Sequence, residues 1–312
     1  MGILVIRGGA IGDFILTLPA IRLLRMAFPE ATVEILGCYP VIQLVEGRYY
    51  AQLTHNLNSA LWVSLFTPQV KLDKALCWYF ARFQKVINYL NDECLSHNLL
   101  HAGVRHLIQG SSQIDNGAHA AYQLAKPLKK LSLFLQHPAA HLFPSHQDQQ
   151  KALYMLKSMG YKTPFFVMHP GSGGRHKNWP LVCWKALFFW AIQKFPDFNL
   201  ICVGGEADKL ALEYLSHQIC SLRICFFDSL PLPILTGLLS QASLFVGQDS
   251  GISHIAAATG IHCILLYGPT NPHIWAPANR LVSVIISSTH AMQDLPFEVV
   301  QQAIQARMQQ IR

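Results

Sequence analysis

LFVGQDSGISHIAAATGIHCILLYG, residues 244–268, reads as strand, helix, strand. LFVGQ and HCILLYG are short, nearly unbroken apolar runs, the pattern of strands in a parallel sheet covered on both faces. The helical segment between them is the crossover that such a pairing requires. The rhythm extends outward: FFVMHP (165–170), NLICVGG (199–205) and RICFFDS (223–229) are further strand candidates, each followed by a helical pattern. In the first half the strand candidates are 2–7, 32–37, 85–90 and 105–109, and the spacing of Phe14, Leu18, Ile21 and Leu24 predicts one buried helix face. Residues 40–84 parse poorly, and LWVSLF (61–66) fits either strand or helix. The expected fold class is α/β, with two Rossmann-like domains facing a cleft.

The composition agrees with that class. The chain has 312 residues, of which 51% are hydrophobic and 13% charged, which excludes a disordered or coiled-coil protein. QHPAAHLFPSHQDQQ (136–150) is rich in Pro, His and Gln and marks the domain boundary, giving expected domains at 1–145 and 146–295. The formal charge of +7 is spread over both halves, so anionic partners are favoured and nucleic acid is not expected. Eight cysteines without a C-x-x-C pair read as free thiols in a reducing cytosol; His97 and His101, like His137 and His141, have helix-face spacing but lack the Glu of H-E-x-x-H, so no metal site is expected. The chain starts on the strand-like GILVIR and has no spanning apolar run, so a cytoplasmic location is expected, with possible peripheral contact with the inner membrane. KLDKALCWYFARFQK (71–85) mixes cations with aromatic residues and reads as a half-buried helix with a solvated face, or as a membrane-resting one.

Four loops carry the candidate chemistry. In IRGGAIGDFILTLPAIRLLR (6–25) a glycine-rich turn opens a helix, a layout that binds phosphate, yet Asp13 places a negative charge at the mouth. Asp13 also reads as an N-cap. HPGSGGRHKNWP (169–180) lets backbone amides approach a ligand beside Arg175, His176 and Lys177, without Walker spacing. In VGGEADK (203–209) Glu206 is placed either to cap the next helix or to accept ribose hydroxyls. In VGQDSGISHIAAATG (246–260) Asp249 is placed to cap a helix whose first turn holds Ser250 and Gly251, with His254 one turn on; a diphosphate would dock on those amides.

Taken together, GDFILTLPAIRLLR, HPGSGGRHKNWP and DSGISHIAAATG…LYGPTNPHIWAP resemble, in order and spacing, the ADP-heptose:lipopolysaccharide heptosyltransferases, glycosyltransferase family 9. The resemblance implies the GT-B arrangement, an N-terminal acceptor-binding domain, a C-terminal sugar-nucleotide-binding domain, and a C-terminal helix (296–312) packing back toward the first domain. It implies that Asp13 is the catalytic base, with Gly12 beside it in the substrate loop. Ser172, Gly173 and Lys177 would meet the donor diphosphate, Lys177 as a catalytic cation. Glu206 would hold the nucleoside, and Asp249, Ser250, Gly251 and His254 would line the diphosphate and sugar pocket. The implied reaction inverts the anomeric centre of a nucleotide-sugar donor, with ADP-heptose the implied one, and passes the sugar to an anionic lipid-linked or glycan acceptor such as the lipopolysaccharide core. No D-x-D occurs, so a fixed cation and a helix dipole replace a metal, and no cofactor is expected. The rivals are a dinucleotide oxidoreductase, for which GGAIGD lacks the G-x-G-x-x-G spacing, and a non-catalytic sugar-nucleotide-binding relative.

Overall fold

In the computed structural model, which describes residues 1–311, the chain forms two compact units, Met1–Phe143 and from Pro144 onward. The first unit carries strands β1 (Gly2–Arg7), β2 (Thr32–Gly37), β3 (Leu53–Asn56), β4 (Lys85–Asn88) and β5 (Leu107–Gln109), in the order β3-β2-β1-β4-β5. Its helices are α1 (Ile11–Ala27), α2 (Lys74–Ala81), α3 (Glu93–His101) and α4 (Ala120–Ala125). The second unit holds β6 (Phe165–Met168), β7 (Asn199–Gly204), β8 (Ile224–Asp228), β9 (Leu244–Gln248), β10 (Cys263–Tyr267) and β11 (Val282–Ile286), in the order β11-β10-β9-β6-β7-β8. Between and after them run α5 (His146–Ser158), α6 (Leu181–Lys194), α7 (Lys209–Gln218), α8 (Leu232–Leu239), α9 (Gly251–Ala258), α10 (Pro272–Trp275) and α11 (Phe297–Ile311). Every strand pair is parallel.

The strand orders decide where ligands can enter. In the second sheet the chain runs β6-β7-β8 in one direction, then returns to place β9 beside β6, with Phe166 opposite Leu244. The loops leaving β6 and β9 therefore diverge to opposite sides and open a crevice at the strand C-termini, the usual ligand site of such sheets. In the first sheet the same switch falls between β1 and β4, with Ile3 opposite Lys85.

Burial explains which strands form. β6, β9 and β10 are buried at every position, as their continuous apolar sequences require. β3 and β11 are edge strands; β3 is the polar LTHN, and β11, the apolar VSVII, is only half-buried. LWVSLF lies within a 3-10 turn, Ala60–Phe66, with Trp62 and Leu65 buried. On α2, Phe80 is buried while Trp78 remains 77% exposed. Arg82, just after it, reaches a buried carboxylate: Glu34 accepts bonds from Arg82 at 2.7 Å and from Tyr79 at 3.0 Å, and pairs with His55 at 2.8 Å. α11 sinks Val300, Ile304 and Met308 into the core of the second unit, alongside Trp179, Trp184 and Phe188. No helix among the described residues is long and apolar enough to cross a membrane.

Candidate functional site

The second unit builds its site from the two loops at its switch point. The loop after β6 begins at His169, a buried imidazole whose Nδ1 donates to the Val203 carbonyl at 2.9 Å. Burial holds this ring below its ordinary range against the opposing pull of Asp208. Gly171 follows, and a side chain there would overlap the Asp208 carboxylate, so the loop lies directly on that residue. Ser172 is nearly buried and turns the chain by accepting the Gly174 amide at 3.3 Å and donating to its carbonyl at 3.0 Å. Gly173 at the tip is exposed with open space around it. A 3-10 turn, Arg175–Lys177, then leads to Trp179, which is fully buried and donates its indole N–H to Leu295 at 2.9 Å.

Lys177 is the one cation of this loop with a described ionic partner: its Nζ lies 2.7 Å from Asp249 Oδ2, with the two side chains 31% and 10% exposed. This corrects the expectation that Asp249 caps the next helix. Ser250 is the N-cap, in extended conformation, and its hydroxyl accepts the Ser253 amide at 3.2 Å. Asp249 stands one residue earlier and is committed to Lys177. The first amides of α9, at Gly251 and Ile252, have no intrahelical acceptor and carry the positive end of the helix dipole. His254 sits one turn on and is buried. The structure thus brings Lys177, Asp249, Ser250 and Gly251 together.

Of the two readings of Glu206, capping is excluded. Glu206 is exposed in a 3-10 turn, Glu206–Asp208, and Asp208 does the capping by accepting the Gly205 amide at 2.9 Å. Two carboxylates two residues apart both fit the pattern, and only the fold shows which one turns inward. Exposure leaves Glu206 available to a ligand.

In the first unit the N-cap of α1 is Ala10, and Asp13 is the third helical residue, so Asp13 is not the cap. Its Oδ2 accepts the Ala10 amide at 3.0 Å, folding the carboxylate back over the glycine turn. Gly9 makes room: its φ is +101°, and a Cβ there would meet Asp13 Oδ2 at 2.9 Å. Beneath lies Arg7, 2% exposed, with Nη2 3.9 Å from Asp13 Oδ1 and Nε donating to Thr17 at 3.0 Å. Burial lowers the Arg7 pKa, while the Asp13 charge favours its cationic form. Gly12 is half-buried beside Asp13 in the first turn of α1. The Asp13 side chain is 37% exposed, so part of the carboxylate is open to solvent.

Arg7 and Asp208, which pack against these loops, are residues that sequence reasoning missed. Asp208 carries a detectable signal, an acid three residues after a glycine at a helix start. A separate cavity of about 820 Å³ opens along β5, lined by Lys85, Ser96, Arg105, His106 and Gln109 among others. None of the expected site residues lines it.

Comparison with known proteins gives a consistent set of likenesses. The model of Glycosyltransferase family 9 (heptosyltransferase) matches residues 69–303. Lipopolysaccharide heptosyltransferase 3 of Escherichia coli is 22% identical over 302 residues, covering 87% of this chain and 85% of that protein. A crystal structure of a glycosyl transferase family 9 protein from Veillonella parvula superposes with a TM-score of 0.84 at 17% identity, covering 99% of this chain and 97% of the other. The structure of E. coli heptosyltransferase WaaC with ADP gives a TM-score of 0.74 at 17% identity, covering 98% and 100%.

Proposed function

The chain belongs to glycosyltransferase family 9, the heptosyltransferases, with two parallel-sheet domains of the GT-B class, and from that premise we propose an inverting, metal-independent heptose transfer. The donor is a nucleoside diphosphate heptose, ADP-heptose, and the acceptor is the lipopolysaccharide core or a similar anionic glycan. The observation that carries this reading is the placement of Lys177 beside the N-terminus of α9, at the switch point of the second sheet. A cation and free helix amides converging on one crevice are a binding site for a diphosphate. The complex of WaaC with ADP supports adenine as the base.

In this reading Asp13 accepts the proton of an acceptor hydroxyl as that oxygen attacks the anomeric carbon. The bond to the diphosphate breaks from the opposite face, and the nucleoside diphosphate departs carrying the electron pair. Negative charge grows on the leaving phosphate, so Lys177 and the amides of Gly251 and Ile252 bind the transition state better than the ground state. Ser172 and Gly173 close on the same phosphate, Glu206 takes the ribose hydroxyls, and His254 flanks the sugar. An acceptor embedded in lipid is compatible with a peripheral contact through the exposed Trp78 and the cations at Lys71 and Lys74.

The test is calorimetric titration of ADP with and without EDTA, beside a transfer assay with ADP-heptose. Binding and transfer that persist in chelator are expected; loss of either on chelation contradicts the metal-independent reading.

A further inference from the structure

Gln248 ends β9 and is fully buried, although its neighbours in the strand are apolar apart from a glycine. A buried carboxamide is costly unless its donors and acceptor are used. Gln248 uses them on a single loop. Its Oε1 accepts the Trp179 amide at 2.8 Å, and its Nε2 donates to the Pro170 carbonyl at 2.8 Å and to Asn178 Oδ1 at 2.7 Å. The orientation of the amide is fixed by the two backbone partners, since a carbonyl must receive the N–H and a backbone amide must meet the oxygen. One side chain thus ties Pro170 at the start of the loop to Asn178 and Trp179 at its end. The bridge spans from one strand to the loop of its neighbour, 78 and 69 residues away along the chain. Lys177 lies inside the closed segment, and its partner Asp249 is the very next residue after Gln248.

We propose that Gln248 is a positioning residue of the donor site. It sets the base of the 170–179 loop so that Lys177 meets the phosphate at the N-terminus of α9, without touching the ligand itself. The proposal rests on reading that loop as the diphosphate site, and adds to it the residue that holds the loop in register. Asp249 fixes the far end of the Lys177 side chain, and Gln248 fixes the backbone from which that side chain springs. An amide is needed: a carboxylate of the same shape accepts from Trp179 but cannot donate to Pro170, and an apolar side chain does neither.

The experiment is a double-mutant cycle read by ADP titration and by kcat and KM with ADP-heptose. Gln248→Met and Gln248→Glu are each measured alone and combined with Lys177→Ala, with folding checked by circular dichroism and melting. Gln248→Met should weaken ADP binding about ten-fold in the parent and less than about two-fold when Lys177 is already alanine, the coupling typical of residues in one network. Asn178→Ala removes one tie from a less buried position and should show the same coupling, about three-fold, which serves if the Gln248 variants do not fold. A general loss of stability would lower ADP affinity equally in both backgrounds, and that result overturns the proposal. Parental affinity in folded Gln248→Met, beside a clear loss in Lys177→Ala, overturns the proposal alone. Parental affinity in Lys177→Ala overturns the donor-site reading and the proposal with it.

Discussion

The Nζ of Lys177 stands 2.7 Å from Oδ2 of Asp249, so the cation of the β6 loop is held by the residue that follows β9. The pair is partly buried, and in the proposed reading the donor phosphate meets a lysine whose position is already set. Lys177→Ala should weaken ADP binding by the worth of one charge-assisted contact, roughly 1.5–3 kcal/mol, or about 10- to 150-fold in Kd. Calorimetry on the folded variant measures this, and an unchanged Kd removes Lys177 from the site.

Asp249→Asn should behave differently. Removing the carboxylate makes the site more positive, so ADP should bind at least as tightly as in the parent. The lysine then loses its strongest anchor, and kcat should fall roughly 10- to 100-fold through misplacement. Ten-fold weaker ADP binding with parental kcat is the opposite outcome and would mean that Asp249 itself holds the nucleotide.

Expectation and structure part company at specific places, each with a physical cause. The strands of the second unit are doubly buried, so they announce themselves as apolar runs; β3, with its LTHN sequence at a sheet edge, does not. Asp249 and Ser250 are both good capping residues, and the choice between them is made by Lys177, 72 residues away in sequence. Glu206 and Asp208 pose the same problem on a smaller scale, resolved by the close approach of Gly171 to Asp208. Asp13 was readable as a special residue because a carboxylate follows a glycine turn, but the buried Arg7 under it is marked by nothing more than a charge ending an apolar strand. Gln248 carried the same kind of signal, a polar residue in a buried strand, which must find partners wherever the fold supplies them.

Stability should fall as the medium is acidified from about pH 7 to pH 5. Burial holds His169 below its ordinary value of 6.5, and burial lowers His141 and His262 as well, each beside an arginine. A histidine with a depressed folded-state pKa stays neutral in the native protein while the unfolded chain takes up its proton. Stability is therefore fully present above pH 6.5 and is lost as pH falls below it. For the fully buried His169 the slope approaches about 1.4 kcal/mol per pH unit. Urea melts at several pH values test this: His169→Gln should flatten the dependence, and an equally steep curve in that variant contradicts the assignment.

Glu34 should be the most sensitive charged residue of the first unit. It is 2% exposed and is held by Arg82, His55 and Tyr79. Arg82→Met removes the partner that donates twice, at 2.7 and 2.8 Å, leaving the buried carboxylate with only Tyr79 and His55. The expected loss is about 1.5–3 kcal/mol of stability, the worth of hydrogen bonds to a charged group. The companion Glu34→Gln, Arg82→Met double variant should recover part of it, and a double variant less stable than the single one would argue against a buried charge as the cause.

The most direct test of the account is the single-turnover rate of Asp13→Asn with ADP-heptose and a heptose-accepting lipopolysaccharide core. Asparagine retains an oxygen for the Ala10 amide, so α1 should start as before. It cannot take a proton at neutral pH, and the chemical step should slow by roughly 10²- to 10⁴-fold, while ADP affinity, which the proposed reading assigns to the second unit, should stay at the parental value. A folded Asp13→Asn protein that transfers heptose at the parental rate would show that Asp13 only secures the helix start, and would contradict the proposed mechanism.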